Sequence, residues 1–134
     1  GNPVSAAVGM AVLDVIETEG LQARARDTGA YLKSGISGLA VRHDLIGDVR
    51  GLGAMMAIEF VEDGDPLRPD ATTATALMQA CSARGLVVIT AGTEKNIIRV
   101  LGPLVIDDAM LNQGLDIMEE ELAKICGASL KKSA

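Results

Sequence analysis

The sequence has 134 residues, a formal net charge of -6 and 49% hydrophobic residues, with no Trp, one Phe and one Tyr; that length suits a single domain with its own core and is too short for two. Lys and Arg are scattered among the acids rather than gathered into a stripe, which excludes the electrostatic footprint of a nucleic-acid binder. No apolar run approaches the ~20 residues of a membrane helix, and the opening Gly1-Asn2-Pro3 lacks the basic and apolar regions of a signal peptide, so a cytoplasmic setting away from membranes is expected.

From Val4 to Glu19, apolar residues recur at Val8, Val12, Val15 and Ile16, Pro3 suits a first helical turn, and Gly20 follows as a stop. A second helical stripe runs through Leu21, Ala25, Thr28, Leu32, Ile36 and Leu39. The connection between the two is very short, so a helical hairpin over 3–42 is expected. Asp48-Val49-Arg50 then leads into Gly51-Leu52-Gly53, and Ala54 to Val61 is apolar apart from Glu59. This reads as a strand, a glycine bend and a longer strand. The following segment, 62–70, is rich in acids and contains Pro66 and Pro69, which marks a surface loop.

Asp70 can cap a helix running to about Arg84, with Ala74, Leu77, Met78 and Cys81 facing inward and Gly85 ending it. Leu86 to Thr90 reads as a short strand, Ala91 to Lys95 as a turn, and Asn96 to Leu101 as a strand that can pair with the first. The last helix starts near Asp107 and Asp108, whose charges suit its positive end, and places Leu111, Leu115, Met118, Leu122 and Ile125 on one face. This order predicts an α+β fold: one domain over 1–134, with an antiparallel sheet of about four strands covered by helices. Its sheet and helices occupy 46–126, and a fraying tail is expected over 127–134.

Catalytic constellations are nearly absent from the residues themselves. There is one His, and there is no phosphate-cradling glycine loop, nucleophile motif or set of metal ligands. Cys81 and Cys126 show no Cys-x-x-Cys spacing and no companion His, and read as small buried hydrophobes. Arg99 is the oddly placed residue, because Ile97, Ile98, Val100 and Leu101 flank it. A guanidinium there must face a cleft or meet a carboxylate. Its planar fork suits a substrate carboxylate, and a structural ion pair with one of the chain's own acids is the alternative. Arg50 beside the bend reads as a structural pair or a contact with another domain. His43 reads as a solvated or capping residue at a helix end, Glu59 as an inward or edge charge of a strand, and Glu119-Glu120-Glu121 as a solvated helix face.

Three segments carry a family resemblance. Gly1-Asn2-Pro3-Val4-Ser5-Ala6-Ala7, then 46–55 from Ile46 through Gly51-Leu52-Gly53 to Met55, then 96–104 around Arg99, resemble in order the small-domain motifs of class III aminotransferases, most closely those of the 4-aminobutyrate type. The likeness runs from Gly1 to about Ile125. It implies the C-terminal small domain of a fold-type I enzyme that uses pyridoxal phosphate to move an amino group from 4-aminobutyrate or a similar ω-amino acid to 2-oxoglutarate. In that setting Arg99 is the arginine that grips the α-carboxylate of glutamate or 2-oxoglutarate, and the parent is a homodimer or larger assembly.

The same resemblance places the Schiff-base lysine, the acid facing the pyridine nitrogen and the phosphate-contacting threonine outside this segment. Lys33, Lys95, Lys124, Lys131 and Lys132 match none of those motifs. No catalytic, cofactor-binding or metal residue is therefore assigned within it, and the chain alone is expected to be inactive. The missing initiator Met agrees with a fragment. The alternatives are a free-standing α+β module binding small carboxylates or proteins, and the same domain from an ornithine-type transaminase, phospholyase, decarboxylase or aminomutase.

Overall fold

The computed structural model describes residues 1–132. Its elements follow in the order α1 (Pro3–Thr18), α2 (Leu21–Arg42), β1 (Ile46–Leu52), β2 (Met55–Phe60), α3 (Ala71–Ala83), β3 (Ile89–Ala91), β4 (Ile97–Leu101) and α4 (Asp108–Lys132). The four strands form one antiparallel sheet in the order β1-β2-β4-β3, as the strand and turn signals predict.

Local chemistry sets the element ends. The Asn2 side chain accepts from the Val4 backbone N–H at 3.0 Å and so caps α1, and Asp70 accepts from Thr73 N–H at 2.9 Å at the start of α3. Asp107 accepts from Met110 N–H at 2.7 Å in the first turn of α4. Gly85, at φ +83°, ends the α3 segment in the left-handed region where a Cβ is disfavoured.

One face of the sheet carries the core. Met56, Ile58 and Phe60 of β2 and Ile98 of β4 point the same way and are fully or almost fully buried. They pack with Leu32, Ile36 and Leu39 of α2, Leu77 and Cys81 of α3, and Met118 and Leu122 of α4. The period-2 alternation of β2 thus meets the helical stripes read from the sequence. Phe60, the single Phe, is completely buried, and burying such a side chain stabilises by roughly 1.5–3 kcal/mol.

Four expectations need correction. The helices do not fold back as a hairpin over 3–42: α1 touches no element except α2 and buries none of its residues. Val8, Val12 and Val15, the stripe that was to face α2, stay exposed, as do Met10 and Leu13. The third strand is shorter than Leu86 to Thr90 and shifted later, because Leu86 and Val88 turn into the core instead of pairing. Helix α4 runs on to Lys132, beyond the start of the expected tail over 127–134, of which 133–134 lie outside the described residues. Finally, Glu121 is not on a solvated face. It is buried between Arg84 (3.2 Å) and Lys124 (2.6 Å), and these partners, Lys124 first, hold its carboxyl below the usual range.

Cys81 is buried as expected, and burial pushes its thiol up to about 11. Cys126 is half-buried and does have a histidine neighbour, with His43 Nδ1 3.5 Å from its Sγ, a contact that sequence spacing could not reveal. Burial also raises the Cys126 thiol. Because the thiolate is the reactive form, Cys81 should resist an aromatic disulfide reagent at neutral pH in the folded chain and react once guanidinium unfolds it. Rapid release of two equivalents from native protein would contradict this packing.

Candidate functional site

The second face of the sheet is not covered by the chain's own helices. Alternation along β1, β2 and β4 puts Asp48, Arg50 and Leu52, then Met55, Ala57 and Glu59, then Ile97, Arg99 and Leu101 on it. The register turns these into rows. Leu52, Met55 and Leu101 form one; Arg50, Ala57, Arg99 and Ile89 form the next; Asp48, Glu59, Ile97 and Ala91 form the third.

Arg99 therefore stands on a central part of an open face, with Met55, Ile89 and Leu101 around it, all about half exposed or more, and the Arg50–Asp48–Glu59 cluster further along it. Its own side chain is exposed, and among the described residues its guanidinium meets no carboxylate. The structural ion pair weighed for it does not form there. An uncompensated, forked cation on an apolar surface is chemically an anion-binding group, and a planar carboxylate is its best geometric match.

Arg50 is the opposite case. Its Nη1 lies 2.6 Å from Asp48 Oδ2 and 2.5 Å from Glu59 Oε2, so one guanidinium serves two carboxylates. The hydrogen bonds it donates, to Asp48 first and then to Glu59, raise its pKa further. The structural reading of Arg50 thus has its partners. Glu59 proves to lie on the open face of a central strand, since β2 sits between β1 and β4. His43 caps α2 through its backbone N–H to Leu39 O at 3.0 Å and lies away from Arg99, beside Cys126.

Two residues with a part in this face were not singled out from the sequence. Ala57 is the small residue between Arg50 and Arg99 in the row, and keeps the surface beside Arg99 low. Asn96 is almost fully buried; its Nδ2 donates to Phe60 O at 3.0 Å and, more weakly, to Glu59 Oε1 at 3.4 Å. It pins the start of β4 to the end of β2. A polar residue leading directly into an apolar strand was the available hint.

The turn before β4 also bears on this face. Lys95 has φ +57°, a left-handed conformation that costs an ordinary L-residue roughly 1–2 kcal/mol. Lys95→Gly relieves that cost but gives the unfolded chain more freedom, worth about 0.4–1 kcal/mol. The variant should be more stable by roughly 0.5–1 kcal/mol, the difference of those two terms, seen as a higher urea midpoint with an unchanged slope. A lower midpoint would mean that Lys95 contributes contacts of its own.

Among the described residues no set of three His, Cys, Asp or Glu is placed to hold a metal ion, and no helix is long and apolar enough to cross a membrane.

Comparison with known proteins gives this geometry a context. The sequence profile of the family described as Aminotransferase class-III matches residues 1–122. A 4-aminobutyrate aminotransferase of Escherichia coli K12 is 43% identical over 120 residues, which is 90% of this chain and 28% of that protein. A probable 4-aminobutyrate aminotransferase of Bacillus subtilis 168 is 45% identical over 122 residues, 91% of this chain and 28% of that protein. Among solved structures, a phospholyase from Arthrobacter in complex with phosphoethanolamine superposes with a TM-score of 0.83 at 30% identity, over 90% of this chain and 29% of that one. The chain thus spans little more than a quarter of the length of the relatives it matches.

Proposed function

The chain belongs to the class-III aminotransferase family, and from that premise we propose that its 134 residues are the C-terminal small domain of a pyridoxal-phosphate-dependent transaminase, the part that grips the substrate carboxylate through Arg99 and closes the active site. The observation that carries this reading is the exposed Arg99 guanidinium on the open sheet face, which meets no carboxylate among the described residues. The parent enzyme moves an amino group from 4-aminobutyrate, or a similar ω-amino acid, to 2-oxoglutarate. Relatives above 40% identity are described as 4-aminobutyrate or 5-aminovalerate aminotransferases, which supports an ω-amino acid as the amino donor.

Within this scheme Arg99 fixes the α-carboxylate of 2-oxoglutarate or glutamate by paired charge-assisted hydrogen bonds. A carboxylate held at one end orients the keto or amine carbon for proton transfer, and such orientation is a large part of what an active site contributes to rate. Half-exposed Met55, Ile89 and Leu101 around it become buried when the rest of the enzyme covers the sheet, which excludes water and strengthens the ion pair.

We assign no pyridoxal phosphate contact to the residues of this chain. Lys33, Lys95 and Lys124 are exposed, and Lys124 is engaged with Glu121. The cofactor-bearing lysine and the phosphate cradle are assigned to the remainder of the parent. The exposed apolar side of α1, with Val4, Val8, Val12 and Val15, is the surface assigned to that remainder and to a partner subunit in a homodimer or larger assembly.

The test compares the full-length parent with this 134-residue chain. Each is mixed with pyridoxal phosphate, cleared of free cofactor, and examined for visible absorbance, for cofactor mass after borohydride reduction, and for turnover with 4-aminobutyrate and 2-oxoglutarate. The parent should be coloured, gain the mass and turn over, while the chain should do none of these. Stoichiometric cofactor on the chain itself, or a parent inert toward both substrates, would overturn the assignment.

A further inference from the structure

The segment 61–69 joins β2 to α3 as a closed loop: Val61 bridges to Pro69, Glu62 N–H donates to Arg68 O at 2.8 Å, and Asp65 N–H donates to Glu62 O at 2.9 Å. Its tip is Asp63-Gly64, the only Asp-Gly or Asn-Gly pair in the sequence. Both residues are left-handed, at φ +52° and +71°. The Asp63 side chain is 82% exposed, and among the described residues the Gly64 N–H donates no hydrogen bond. A Cβ built at Gly64 would meet nothing closer than Asp44 O at 4.0 Å, so the tip has room to turn. An accessible carboxyl group thus sits one residue before a free, unshielded amide nitrogen.

We propose that Asp63-Gly64 is a site of spontaneous backbone isomerisation, a covalent modification whose only co-reactant is water, and that Arg68 restrains it. Gly64 N attacks Asp63 Cγ and a C–N bond forms; the amide proton and the carboxyl hydroxyl leave as water, and a five-membered succinimide results. Water then adds to the ring's other carbonyl, the former Asp63 backbone carbonyl, and breaks its bond to Gly64 N. The chain now continues through Cγ, the α-carboxylate is free, and the mass is unchanged. Ring closure is intramolecular, so proximity replaces a bimolecular encounter, and glycine has no Cβ to block its nitrogen. Arg68 opposes the first step. Its Nη1 holds the Asp63 carboxylate at 2.7 Å while its Nη2 pairs with Glu62. Closure requires the neutral acid, whose hydroxyl can leave, so this pair must open first.

Neighbouring acids lack these features. Asp65 precedes Pro66, whose nitrogen has no N–H to lose. Asp48 lies within β1 before β-branched Val49, and Asp44 precedes Leu45. Isomerisation at Asp63 adds one carbon to the backbone inside a loop closed by Val61 and Pro69, next to the Asp70 side chain that caps α3. The modification needs no substrate or cofactor and is independent of the role assigned to Arg99.

The experiment ages this 134-residue chain and the parent holoenzyme in warm neutral buffer. Two probes follow them: label transfer from S-adenosylmethionine by an isoaspartyl carboxyl methyltransferase, and a shifted chromatographic retention, at unchanged mass, of the peptide carrying 63–64. A synthetic peptide spanning 61–69 sets the intrinsic rate. Both proteins should isomerise at Asp63 ahead of every other Asp of this chain and within about tenfold of the peptide, because surface loop tips open at little free-energy cost and an exposed ion pair slows the step by at most about fivefold. Asp63→Glu, which would have to close a six-membered ring, should remove the signal, and Arg68→Ala should speed the reaction about two- to fivefold. Isomerisation first at another Asp, protection of 63–64 beyond about a hundredfold in either protein, or no acceleration in Arg68→Ala overturns the proposal.

Discussion

Arg99→Ala in the parent transaminase is expected to lower kcat/KM for 2-oxoglutarate by about two orders of magnitude, while the domain itself melts as before. The first half follows from chemistry. A guanidinium gripping a carboxylate makes charge-assisted hydrogen bonds, each worth roughly 1.5–3 kcal/mol once water is excluded, and a total near 3 kcal/mol corresponds to about a hundredfold. The second half follows from structure, since Arg99 is exposed and no carboxylate among the described residues leans on it. Removing an unpartnered surface side chain changes stability by no more than about 0.5 kcal/mol. Arg99→Lys keeps the charge but loses the planar fork, so it should fall between the two, nearer to Ala than charge alone suggests. Steady-state kinetics beside a urea titration separate these outcomes. If Arg99→Ala unfolded the domain, or left 2-oxoglutarate use intact, the residue would be structural after all.

That separation of function from stability was only half legible in the sequence. The apolar runs in 54–61 and 96–101 announced strands, and the odd Arg99 among Ile97, Ile98, Val100 and Leu101 announced a cation on a sheet. The sheet order did not follow from these signals, because adjacent β1-β2 and β3-β4 hairpins can dock in more than one way. The observed docking of β2 on β4 makes Ala57 the shared partner of Arg50 and Arg99 and turns Glu59 into a neighbour of both. Such relations belong to tertiary pairing, and local propensity carries no information about them.

The misreading of α1 has a related cause. Val8, Val12 and Val15 are spaced as a buried stripe should be, and the periodicity is real. Periodicity shows that a face is to be covered without showing what covers it. Here α2 does not, and the side chains remain exposed. The proposed remainder of the enzyme is the natural cover. Glu121 failed in the reverse direction: three consecutive acids look like a solvated face, yet one of them turns inward because Arg84 from α3 and Lys124 from its own helix neutralise it.

The glycines give the second large prediction. Gly29 of α2 is buried, and a Cβ built there would lie 2.1 Å from the Gly53 carbonyl oxygen and 2.4 Å from its carbon. Both atoms are backbone, so no side chain can rotate away. Helix α2 must instead lift from the bend between β1 and β2, loosening Leu32, Ile36 and Leu39 against the sheet. Overpacking of this kind costs about 3 kcal/mol or more, against which alanine's better helix propensity returns roughly 1 kcal/mol. Gly29→Ala should therefore destabilise the chain by about 2 kcal/mol or more. Gly9→Ala is the matched control: it also lies within a helix, but nothing stands within 4 Å of the added carbon. There only the propensity gain remains, and the variant should be more stable by up to about 1 kcal/mol. Urea midpoints of the two variants should thus move in opposite directions. The bend at Gly53, itself at φ +54°, connects β1 to β2 and so helps set the register that aligns Arg50, Ala57 and Arg99. Gly29→Ala should consequently also weaken binding of glutarate, an unreactive dicarboxylate, in the parent, although the helix it alters packs on the other side of the sheet from Arg99. A stable Gly29→Ala chain with unchanged glutarate affinity would show that the α2 contact does not support the carboxylate face.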